Sequence, residues 1–120
     1  MELKERMNLL RDAGVLSQKN YESVEKVIAY FKEQHGIALT EENAAAFITH
    51  LCMALERLDK GEEVKPLDRA VFEEVQQEES YEQAAACCRD MNKILPQLPE
   101  AEVEYICTHV GVMLAALSKG

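Results

Sequence analysis

Apolar positions recur along this chain at three- and four-residue spacing, and no stretch alternates with the two-residue period of a half-buried strand. The pattern predicts helices from end to end. Met1 to Ala13 reads as the first, with Leu3, Met7 and Leu10 on one face and Gly14 placed to stop it. Ser17 can cap a second, whose buried side is Tyr21, Val24, Ile28 and Phe31, and Gly36 ends it. Thr40 is placed to cap a third, Glu41 to Leu58, with Glu41 and Glu42 at its positive end. This stretch has no Gly or Pro and is rich in Ala and Leu; at 1.5 Å per residue it would be roughly 27 Å long. Phe47, Leu51, Ala54, Leu55 and Leu58 form its apolar stripe.

The second half of the chain continues in the same manner. Pro66 suits the first position of a fourth helix, with Leu67, Ala70, Val71 and Val75 as its apolar side. The acidic run Glu73 to Glu79 reads as solvated face and loop. Ser80 followed by Gln83 has the form of a capping box opening a fifth helix, packed through Ala84, Cys88, Met91 and Leu95. Pro96 stops that helix. Pro99 starts the last, whose core face is Val103, Ile106, Val110, Leu114 and Leu117. The polar Lys60–Lys65 stretch is the widest break, yet neither side of it offers enough apolar face to bury alone. The expectation is one all-α domain over residues 1–120, a compact bundle of five or six helices.

Two of these helices carry histidine on or beside their apolar stripe. His50 borders the stripe of the third helix, and Arg57 follows seven residues later, two turns along and about 20° round. Helical side chains lean toward the N-terminus, so Arg57 leans back toward His50 over the small Ala54. In the last helix His109 follows Glu102 at the same offset, with Tyr105 between them. The third histidine, His35, sits just before Gly36, where an imidazole favours the negative end of a helix dipole, and it receives no functional role. Each pair also has a purely structural reading. Arg57 can be a surface residue lying over an apolar border. Glu102 stands in the first turn of its helix, where any carboxylate is favoured.

Composition narrows the classes. The 120 residues are 48% apolar, which argues against disorder. A net charge of −9 argues against direct binding to nucleic acid or an anionic membrane, whereas a basic protein partner would be steered toward it. MELKERMNLL lacks the apolar run of a secretory signal, and no apolar run reaches membrane-spanning length. Cys52, Cys87, Cys88 and Cys107 form no CxxC pair, so reduced, buried thiols in a cytoplasmic protein are expected, with no metal or cofactor. There is no Gly-rich phosphate loop, HExxH, GxSxG or Walker sequence, and an enzyme is not expected.

Taken together, His50-Leu51 with Ala54 and Arg57, then Lys65-Pro66-Leu67, then Pro99-x-x-Glu102 with Tyr105 and His109 resemble the two histidine motifs of the PTS regulation domain (PRD) of bacterial sugar phosphotransferase systems. The resemblance runs from about Leu10 to Leu117. It implies a dimerising helical bundle in which His109 and His50 match positions phosphorylated by phosphocarrier HPr or a sugar-specific transport component. It also implies that phosphorylation alters dimer packing and so controls an output. PRDs usually occur in tandem, fused to nucleic-acid-binding modules. Here one PRD is seen, so an output would pass through another protein or the dimer itself. The chain departs from the family at Thr49, where Asp commonly precedes the first histidine and fixes its tautomer, and at Thr108, where an apolar residue is usual. A dimeric helical interaction module that is never phosphorylated is the alternative.

Overall fold

A computed structural model describes residues 1–119 and contains, among them, six α-helices and no strand. The helices are α1 (Leu3–Asp12), α2 (Gln18–His35), α3 (Glu41–Asp59), α4 (Arg69–Gln76), α5 (Tyr81–Ile94) and α6 (Glu100–Lys119). The chain divides into two compact units at the polar break marked by its sequence, one running from Met1 to Gly61 and the other from Glu62 onward.

In the first unit α1, α2 and α3 pack on one another. Gly14 adopts φ 77°, a left-handed conformation that costs other residues about 1–2 kcal/mol. The amides of Val15 and Leu16 thereby reach back to the Leu10 carbonyl, at 2.9 and 3.1 Å, and Leu16 enters the core. Ser17 caps α2 by accepting the Asn20 amide at 3.1 Å, and Gly36, at φ 65°, closes the other end. Phe31 of α2 meets Phe47 of α3 edge to face, with ring centroids 5.7 Å apart, a geometry favoured by the ring quadrupoles. Met7, Val24, Val27, Ile48, Leu51 and Leu55 are buried with them. Thr40 caps α3 as expected, and its cap is reciprocal. Thr40 Oγ1 accepts the Asn43 amide at 3.2 Å, and Asn43 Oδ1 accepts the Thr40 amide at 2.9 Å. A short Asn thus does what Glu or Gln does in the usual capping box.

The second unit departs from expectation in three places. Pro66 does not open α4: Asp68 caps it, accepting the Ala70 and Val71 amides, and the helix begins at Arg69. No residue of α4 is buried; Val71 is exposed, and Phe72, which packs edge to face with Tyr81, and Val75 are half-buried. Ser80 forms no capping box, because its backbone is in the helical region (φ −83°, ψ −1°) rather than the extended conformation of a capping residue. Its hydroxyl instead donates to the Gly111 carbonyl of α6 at 3.1 Å, tying the start of α5 to the middle of the last helix. Leu117, expected in the core, is exposed: it stands in the last turn of α6, beyond the buried Leu114. The remaining expected contacts of α5 hold: Ala84, Cys88, Met91 and Leu95 are all buried. The α5–α6 turn is shaped by Asn92, whose side-chain amide donates to the Leu95 and Leu98 carbonyls.

Candidate functional site

Both histidines of interest are half-buried on long helices, one in each unit. In the first unit α3 is held at both ends. Near its start, Arg6 of α1 grips the Glu41 carboxylate through two guanidinium nitrogens and holds that carboxyl below its usual range. At its end, the buried Asn20 of α2 donates to Glu56 Oε2 at 2.6 Å and to Asp59 Oδ2 at 2.8 Å, and the Ser17 amide adds a third bond to Glu56 Oε2 at 3.0 Å. Between these clamps the sequence Thr49-His50-Leu51-Cys52 turns Leu51 and Cys52 inward and leaves Thr49 and His50 at the border. Nε2 of His50 is shielded from solvent. Thr49 Oγ1 is shielded too and has no hydrogen-bond partner among the described residues. Arg57, two turns further on, is half-buried. A phosphoryl donor reaches His50 Nε2 only if the ring or its surroundings move.

The second unit places His109 in the middle of α6. Burial holds its pKa below the ordinary value for histidine, so the neutral imidazole prevails at neutral pH. A neutral ring has a lone pair to offer an electrophile; an imidazolium does not. The Thr108 hydroxyl donates back to the Glu104 carbonyl one turn earlier, at 3.0 Å. Glu102 lies in the first turn of α6 and is buried; Tyr105 is half-buried. Glu104, also buried, pairs with the exposed Arg69 at the start of α4, and the Arg69 guanidinium lies 5.3 Å from the centre of the Phe72 ring. A cleft of about 390 Å³ runs beside α6, lined by Tyr81, Ala84, Cys107, Thr108 and Gly111 among others; His109 is not part of its wall.

The histidine spacing, the capped α3 and the first-turn carboxylate of α6 were all visible in the sequence. The clamp at Asn20 was not, although a polar residue at a core position of an amphipathic helix is its signal. His35 is exposed at the end of α2, its Nε2 2.8 Å from the Tyr30 hydroxyl. All four cysteines are free and buried. Burial pushes Cys52 up to about 11, aided by nearby Glu56. Among the described residues no group of three or more His, Cys, Asp and Glu side chains is arranged to hold a metal ion, and no helix is long and apolar enough to cross a membrane.

The chain is 28% identical over 80 residues to the uncharacterized protein YhfY of Escherichia coli strain K12, a stretch that spans 67% of each chain. No solved structure matches it. The family model of the PRD domain matches residues 25–112, well over half of the chain and a span that includes His50, Arg57, Glu102 and His109. On that match the chain belongs to the PRD domain family.

Proposed function

We propose that this chain is a regulatory module of a bacterial sugar phosphotransferase system, working as one domain that accepts phosphoryl groups on His109 and His50. The observation that carries this reading is the PRD match over residues 25–112, which includes both histidine helices. The neutral imidazole of His109 supports it, because the reaction needs a nitrogen lone pair. The donor is phosphocarrier HPr or a sugar-specific transport component. The donor's N–P bond breaks as a new N–P bond forms on His109 or His50, so like is exchanged for like and the chain acts as acceptor rather than catalyst. The transferred group adds close to two negative charges. On α6 that charge arrives two turns from Glu102 and repels it. On α3 it arrives two turns from Arg57, whose planar guanidinium suits a phosphate oxygen pair. Phosphorylation of α6 therefore loosens local packing, phosphorylation of α3 tightens it, and the change is read through a homodimer or an output protein.

The test is incubation of the purified chain with phosphoenolpyruvate, the general phosphotransfer enzyme and HPr, followed by mapping of acid-labile phosphate. Label on His109, lost in His109→Ala, is the expected result. No label on either histidine overturns the proposal. A second reading, a dimeric interaction module that is never phosphorylated, is favoured at α3 by the shielded His50 Nε2 and by Thr49 in place of an orienting carboxylate. It predicts that His109→Ala dimerises and binds its partner as the wild type does, with or without the phosphotransfer enzymes.

A further inference from the structure

The second unit holds a pair of groups that phosphoryl transfer does not use. Cys88 of α5 and Cys107 of α6 lie on two closely packed helices and line the same cleft. Both are buried, each about 4% exposed, and neither is in a disulfide. Burial alone would make them inert. Yet both line an open cleft of about 370 Å³, together with Tyr81, Arg89 and Glu104. Cys107 also contributes to the wall of the 390 Å³ cleft beside α6. A molecule little larger than water can therefore reach the pair from solvent. Cys87 neighbours Cys88 in sequence but does not line this cleft, and Cys52 lies in the other unit.

We propose that Cys88 and Cys107 are an oxidation site, converted by hydrogen peroxide into a reversible disulfide that staples α5 to α6. Arg89 lies on the same cleft and its positive charge favours a thiolate at either sulfur. Attack can start at either one and ends in the same disulfide; in one order Cys107 attacks as its thiolate. Its sulfur takes one peroxide oxygen, the O–O bond breaks, and the departing hydroxide picks up a proton as water. Cys107 is then a sulfenic acid. The Cys88 sulfur, giving up its proton, attacks the Cys107 sulfur; the S–O bond breaks, the S–S bond forms, and the hydroxyl leaves as a second water. Two thiols have lost two hydrogens, and one peroxide has become two waters. Bringing the two sulfurs to a bond of about 2.05 Å asks for side-chain rotation within the cleft.

The experiment treats the reduced full-length chain with hydrogen peroxide and reads its intact mass and non-reducing peptide map. No phosphoryl donor is present, so the outcome is independent of the proposed phosphorylation. The expected result is loss of two hydrogens, a Cys88–Cys107 cross-linked peptide, and full reversal by dithiothreitol. A Cys52→Ala/Cys87→Ala double variant should behave identically. Cys88→Ala and Cys107→Ala should each stop at a sulfenic acid on the remaining cysteine of the pair, trapped by a dimedone reagent. The wild-type map decides by itself should a variant fail to fold. Oxidation at Cys52 or Cys87 first, cross-links between chains only, or four intact thiols after peroxide has consumed an equal amount of free cysteine would each overturn the proposal.

Discussion

Asn20 is the residue whose replacement tests the architecture of α3 most directly. Its buried side-chain amide donates two of the three hydrogen bonds that tie the start of α2 to the end of the histidine helix, at 2.6 Å to Glu56 and 2.8 Å to Asp59. Hydrogen bonds to charged groups contribute about 1.5–3 kcal/mol each when buried. Asp59 is exposed and Glu56 half-buried, so water recovers part of that loss, and Glu56 keeps its bond from the Ser17 amide. Asn20→Ala should therefore cost about 2 kcal/mol. Asn20→Asp keeps the shape but sets a third carboxylate against the other two. At an effective dielectric constant near 20, two unit charges 4 Å apart repel by about 4 kcal/mol, so this variant should be the less stable of the two at pH 7. The sign with pH follows from linkage. The same repulsion raises the pKa of the introduced Asp in the folded state above its unfolded value of about 3.9. The penalty is then full above the folded pKa and fades as pH falls through it. Urea unfolding followed by helical circular dichroism at pH 7 and pH 5 measures both effects. The reasoning fails if Asn20→Ala lies within about 0.5 kcal/mol of wild type, the range of an ordinary surface change, or if Asn20→Asp matches it and does not recover toward acid.

Four further expectations follow from the second unit and from Cys52. His109 should titrate by NMR below the free-imidazole value of about 6.5; because the folded state then binds fewer protons than the unfolded chain, its contribution to stability rises with pH across that window, and His109→Gln should remove that slope. A Cβ at Gly111 would meet Ala84 Cβ and Ser80 Oγ at 3.8 Å, ordinary van der Waals contact, so Gly111→Ala should stabilise the chain by up to about 1 kcal/mol in thermal or urea unfolding. Ser80→Ala, which removes the bond to the Gly111 carbonyl, should cost about 1 kcal/mol, and Gln83→Ala, which would break a capping box, should cost less than half of that. Cys52, fully buried and with its thiol pushed up to about 11, should react with iodoacetamide only as fast as the protein unfolds, a rate that quench-and-map mass spectrometry reads directly.

How much of this was legible beforehand depends on whether the information is local. Helix positions were, because the apolar period and the stops at Gly14, Gly36 and Pro96 act within a few residues. The N-caps at Ser17 and Thr40 were read correctly for the same reason. Ser80 has an equally good local signature and was misread, because a long-range acceptor, the Gly111 carbonyl, captures its hydroxyl and its backbone never takes the capping conformation. Pro66 was misread because Asp68, two residues on, offers the better cap and moves the start of α4. The position of His109 on its helix was visible; its desolvation was not, since that depends on what packs over α6. The same holds for Cys88 and Cys107, nineteen residues apart in sequence and meeting only through the α5–α6 turn.

The two histidine helices have the same seven-residue motif spacing but differ in how they are restrained, and this difference decides what a phosphoryl group would do on each. On α3 the clamps lie at the ends, at Glu41 and at Glu56 with Asp59, and both clamp acidic side chains with donors from neighbouring helices. On the proposed reading, a doubly negative group at mid-helix leaves those bonds intact and is drawn toward Arg57, two turns on. On α6 the restraints flank His109 itself: the Ser80 bond at Gly111 two residues on, the Cys88 contact at Cys107 two residues before, and the Arg69 pair at Glu104. Negative charge added at position 109 falls among these contacts and on a helix that already carries Glu100, Glu102 and Glu104 in its first two turns. Arg69, largely exposed, is free to trade its pairing with Glu104 for a stronger anion, which would release α4 from the start of α6. On the proposed reading, modification at α3 is therefore a lock and modification at α6 a release, and the asymmetry comes from the position of the neighbours along each helix rather than from the histidines themselves.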